Sequence, residues 1–205
     1  MAALDSCGGS SPVTSPAPAA TKPVAAPSPT TRPRDLETYL VLIDLGAYKS
    51  KVAPAFDEYV DSGGTKAVRD LLPGIEVPEF QDRKKRLEVA LKLASAVVEA
   101  RCVVKLPGID PYQLGSAELV SYLYSASDRL RETLTSKDIS DETLAYPLGE
   151  HAEIIRPADV IEIRGLAGNV PVPEDAEMRE QLAAFRAMMD AAGRNPNHAL
   201  ALVMK

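Results

Sequence analysis

The sequence predicts a mainly α-helical protein: a single compact domain of roughly six to eight helices around a long central helix, with an extended N-terminal arm. Three observations predict it. Phe80 to Val104 (FQDRKKRLEVALKLASAVVEARCVV) is the longest run with helical periodicity. Leu87, Leu91, Ala94 and Val98 form one row, flanked by Ala90, Leu93, Val97 and Val104, so the apolar stripe is wide enough for neighbours on more than one side. A second run, AELVSYLYSASDRLRETL, repeats the pattern through Leu119, Leu123, Ala126, Leu130 and Leu134. Residues 1–34, by contrast, are Ala, Pro, Ser and Thr with almost no large apolar side chains. Such a stretch cannot offset its ordering entropy by burial.

The chain therefore divides into an arm, 1–34, and a helical domain, 35–205. Leu36, Tyr39, Leu40 and Ile43 recur at helical spacing, and Gly46 suits the position just past a helix end. Val52, Phe56, Tyr59 and Val60 make the next stripe, with Pro54 either kinking it or starting a new helix. Gly63-Gly64 ends that helix, and Thr65 caps a short one that stops at Pro73-Gly74. Pro78 and Pro107-Gly108 punctuate the long helix. Ser116 caps the second substantial helix, which the short connection sets antiparallel to the first. SKDISDET reads as a polar turn and Leu144 to Ile155 as irregular.

Residues 157–164 fit a short helix begun by Pro157 or a short strand, because the run is too short for periodicity to decide. Helix is favoured, since an isolated strand has no partner. Glu174 and Asp175 then open a clear helix, where acids suit the dipole. Met178, Leu182, Phe185, Met188 and Met189 are its apolar row, and Gly193 ends it. After Asn195-Pro196, HALALVMK reads as a last short helix.

Composition narrows the function. Apolar residues are 45% and charged residues 25% of 205, as in ordinary globular proteins. With three Phe, seven Tyr and no Trp, the core must be aliphatic. A formal charge of −6 disfavours a protein devoted to gripping phosphate backbones. Cys7 and Cys102 do not make a disulfide framework, so a cytoplasmic or other reducing compartment is expected. The N-terminus lacks the basic and apolar regions of a secretory signal, so secretion is not expected. Its Ser/Ala/Thr content leaves plastid import open. No apolar run is long enough for a membrane span.

Candidate sites are few. Arg83, Lys84, Lys85 and Arg86 crowd the positive end of the long helix and read as a solvated face or a docking patch for an acidic partner. Met188 and Met189 belong to a methionine group that suits either an ordinary core or an adaptable binding face. His151 and His198 are distant from each other and match no metal-ligand spacing. His151 lies beside Glu150 and Glu153, where an exposed loop histidine is the simpler reading than an acid–base pair. Gly63-Gly64-Thr65-Lys66 lacks the phosphate-loop spacing, and Asp138, Asp141 and Glu142 lack the calcium-loop pattern.

No catalytic, metal or cofactor residues are assigned. The expectation is a non-catalytic structural or adaptor subunit. It works by protein–protein contact or self-association in a larger assembly, with the arm touching neighbours. Two alternatives stand beside it: a nucleic-acid-packaging coat-type protein using residues 83–86, and an enzyme whose site is scattered along the chain.

Overall fold

The computed structural model describes residues 38–112, 114, 117–135 and 140–205. The arm over 1–34, the Ser116 cap and Asp138 lie outside the described residues. At the centre is a sheet, not a helix. Strands β1 (Thr38–Asp44), β2 (Ser140–Thr143), β3 (His151–Ile155) and β4 (His198–Met204) form one antiparallel sheet in the order β1-β4-β3-β2. Helices cover both faces. The helical content expected from the sequence is present, but the arrangement around a central helix is not.

Two expected helices are strands, the edge strand β1 and its inner neighbour β4. Of the stretch expected as a helix from Leu36, which itself lies outside the described residues, Thr38–Asp44 is β1; HALALVMK contributes β4, with Thr38 opposite Met204 and Asp44 opposite His198. The error has a physical cause. A strand covered on both faces is apolar at consecutive positions and loses the alternation that marks a half-exposed strand. Leu40 and Leu42 enter one core while Val41 and Ile43 enter the other. In β4, Ala201 and Val203 face the first core and Leu200 the second. The stretch expected to be irregular contains β3, and the polar turn contains the edge strand β2, bulged between Ser140 and Glu142.

The first core holds α1 (Leu45–Ala47), a π-helical turn (Tyr48–Val52), α2 (Ala53–Ser62), α3 (Lys66–Leu71) and α4 (Arg83–Arg101). The long helix α4 thus forms where expected, and the expected stripe is buried through its alanines and valines but not through its leucines. Ala90, Ala94, Val97 and Val98 are buried, whereas Leu91 is 45% exposed. The small alanines let the helix lie close to its neighbours, and the leucine row flanks that contact instead of making it.

The second core holds α5 (Ala117–Ala126), α6 (Asp128–Thr135), α7 (Pro157–Gly168) and α8 (Ala176–Arg194). Residues 157–164 are helical, as favoured. The run expected to be one helix breaks at Ser127, whose Oγ accepts from the Leu130 amide at 3.2 Å and so caps α6. α5 does not pack antiparallel on α4, because the two belong to opposite faces of the sheet. The connection crosses from one face to the other along the outer edge of β1. There Val103 bridges Ile43, the Val104 amide donates to the Leu42 carbonyl, and the Asp44 amide donates to the Cys102 carbonyl.

Two glycines permit close turns. Gly149 (φ +85°) precedes β3, and a Cβ there would overlap the Met204 carbonyl oxygen. Gly46 faces Asn197, whose side chain would lie 3.0 Å from an added Cβ. That approach lets the Asn197 carbonyl accept from both the Leu45 and Gly46 amides.

Cys102 is 1% exposed at this crossing. Desolvation, with a lesser contribution from the Asp44 carboxylate, pushes its thiol up to about 12. The thiolate is the reactive form, so in a Cys7→Ser variant a disulfide reagent at pH 8 should label Cys102 at least about tenfold more slowly in buffer than in denaturing urea. Equal rates would show that the edge of β1 is open to solvent.

Candidate functional site

A cavity of ≈ 270 Å³ opens where the sheet ends, between the two helical layers. Leu45 and Lys49 reach it from one layer, and Pro157, Val160, Ile161 and Ala192 from the other. The sheet supplies Ile154, Ile155, His198 and Ala199. Its walls are mainly apolar, with three polar side chains: Lys49, Glu142 and His198. A few polar groups converging on an apolar concavity is the usual make-up of a ligand site.

Local sequence explains how each polar group arrives. Asp44 caps the turn after β1 by accepting from the Ala47 amide at 2.8 Å. The helix then widens into the π-turn, a form often found at functional sites. Tyr48 anchors this turn: its buried hydroxyl accepts from the Tyr146 amide at 3.0 Å. Tyr146 in turn donates to Asp57 Oδ1 at 2.8 Å and stacks on Phe56 with 4.9 Å between ring centroids. Desolvation raises the Tyr48 phenol above its ordinary range, and the Tyr146 amide opposes it only in part. Desolvation followed by the Asp57 hydrogen bond raises the Tyr146 phenol. Both phenols stay protonated, so this latch persists across the neutral range.

With Tyr48 fixed, the next residue is directed at β2. Lys49 Nζ lies 3.0 Å from Glu142 Oε1. Their side chains are 57% and 39% exposed, so the pair contributes little to stability and is free to exchange partners. His198 opens β4 opposite Asp44. Its Nδ1 is buried with no hydrogen-bond partner among the described residues. An unpaired buried nitrogen costs about 1–3 kcal/mol.

The residues singled out from the sequence lie elsewhere. Arg86 is a structural clamp, only 7% exposed. Its guanidinium donates to the carbonyls of Val60 (2.8 Å), Asp61 (3.1 Å), Phe80 (2.8 Å) and Gln81 (2.9 Å). It thereby ties the end of α2, where the dipole favours a cation, to the segment leading into α4. Arg83 pairs with Asp61 at 3.1 Å. Lys84 and Lys85 are exposed, with the Lys85 ammonium 5.9 Å from the centre of the Phe80 ring. Arg86 is therefore turned inward, while Arg83, Lys84 and Lys85 stay at the surface.

Met188 and Met189 are each 1% exposed and fill the second core, and Met189 also lines the groove between α7 and α8. His151 Nε2 lies 2.8 Å from Glu153 Oε1, away from the cavity. Sequence reasoning missed Lys49 altogether, took Glu142 for a turn former, and left His198 as a solitary histidine. Nothing in their spacing joins them, since they converge through the pairing of β1 with β4, β4 with β3 and β3 with β2.

Among the described residues, no three His, Cys, Asp or Glu side chains converge as metal ligands, and no helix is long and apolar enough to cross a membrane. Comparisons with family models, curated proteins and solved structures return no match.

Replacing Arg86 with Met should keep the apolar stem but strand four carbonyls, lowering unfolding free energy by about 2–4 kcal/mol in urea titration. Lys at the same position should rescue little, because a single ammonium cannot span the four acceptors. A loss below about 1 kcal/mol for both variants would show that solvent satisfies these carbonyls as well as the guanidinium does.

Proposed function

We propose that the chain is a non-catalytic structural or adaptor subunit that acts by protein–protein contact. Its first contact surface is then the groove between α7 and α8, occupied by a second copy of the same chain. The observation that carries this reading is Ile161, an isoleucine left 68% exposed on α7. Gly165 and Gly168 follow it at the spacing of one helix face, and a Cβ added to either would meet nothing within 4 Å. Together they leave a shallow lane beside an apolar anchor, with room for a second helix to lie close.

Self-association fits the charges. The same groove carries Arg164 and Asp190, 2.7 Å apart and roughly half-exposed. A surface with both signs can pair with its own copy by exchanging partners across a two-fold axis. In the proposed assembly the arm over 1–34 reaches neighbouring subunits, as a Pro-rich segment of that length is able to do. The nucleic-acid alternative draws less support, since Arg86 is spent internally and Arg83 is paired. The cavity beside His198 keeps the enzyme alternative alive as a second reading.

Light scattering on the full chain tests the proposal. The expected mass is that of a dimer or larger, and Ile161→Glu should raise the dissociation constant about tenfold or more, as loss of a buried apolar anchor does. Monomers at high concentration with no co-purifying protein would overturn it.

A further inference from the structure

We infer that the cavity at the end of the sheet is a binding site for a small monocarboxylate with a compact apolar body. Size sets the body. The cavity measures ≈ 270 Å³. A dry apolar cavity of about 150 Å³ takes a benzene ring. One ring with a short substituent, or a branched chain of five or six carbons, therefore fits. The walls formed by Ile154, Ile155, Val160 and Pro196 give such a body apolar surface on several sides.

Charge sets the head group. Two positive features meet in the lining: the Lys49 ammonium, and the start of α7 at Pro157, where the dipole of a twelve-residue helix favours an anion. Glu142 opposes them from the lining, and Asp159 in the first turn of α7 is neutralised by Arg156 at 2.6 Å. That balance admits a single negative charge and disfavours a dianion such as phosphate. No arginine is in the lining to grip phosphate by its fork.

His198 lines the cavity, with its Nδ1 behind the cavity surface and within reach of a ligand once the ring turns. Its Nδ1 is buried and unpaired, and buried polar groups of native proteins rarely stay so. The imidazole can turn its donor to a carboxylate bound beside it. Lys49, held to Glu142 only by an exposed pair, can exchange that carboxylate for the ligand's without leaving its π-turn. The site is separate from the groove proposed for self-association, except that Ile161 borders both.

Isothermal titration of the full chain with benzoate and 4-methylpentanoate tests the inference, with the matching alcohols and inorganic phosphate as controls. Both acids should bind one per chain, at least tenfold more tightly than either alcohol or phosphate. Lys49→Met should weaken the acids at least tenfold and leave the alcohols unchanged. Ala192→Leu adds bulk at the cavity wall without removing any core atom. It should abolish binding of the acids while the thermal transition of the protein stays in place. Any of three results would overturn the site: no heat from either acid at about 10 mM, phosphate or an alcohol binding as well as the acids, or undiminished binding in a folded Ala192→Leu protein.

Discussion

The structure depends on the pairing of the first described strand with the last. Seven residues of β1 meet seven of β4 in unbroken register, Thr38 to Met204 through Asp44 to His198. Everything between them is placed by that pairing. It makes β4 an inner strand, gives β3 its partner, and separates the two cores. Contacts of such long sequence separation form against a large loop-closure cost, so the sheet cannot be complete until residues 198–204 are available. β4 is thus a structural centre.

This also decides what could be read beforehand. The segments whose burial is one-sided were legible. α2, α3, α7 and α8 fall where caps, prolines and apolar rows put them, and α4 has nearly the bounds its flanking prolines suggest. β1 and β4 were not legible, because their signal lies in another part of the chain. LVLI and ALALV carry the same apolar content as a buried helix, and only a partner distinguishes the two. The leucines of α4 were given too much weight for a related reason. Leucines advertise burial by size, yet the contact belongs to Ala90 and Ala94, whose virtue is that they occupy little room.

The candidate site repeats the lesson at the level of side chains. A cluster of four cations is conspicuous in a sequence, but Arg86 spends its donors on four backbone carbonyls, and the group comes apart in space. Two adjacent methionines are conspicuous too, and they fill the interior. Lys49, Glu142 and His198 are inconspicuous singly. They become a site because a tyrosine latch directs the first, a bulged edge strand carries the second, and strand pairing delivers the third.

The margins of the sheet have a consequence for how copies of the chain can meet. Along β1, residues 102–104 occupy the outer hydrogen-bonding positions of Leu42, Ile43 and Asp44. Along the opposite margin, β2 is four residues long, polar and kinked by its bulge. Both rims are interrupted at these places, which disfavours strand addition there. In the proposed self-association, contact through a helical groove about a two-fold axis closes on itself and leaves no free surface for further growth.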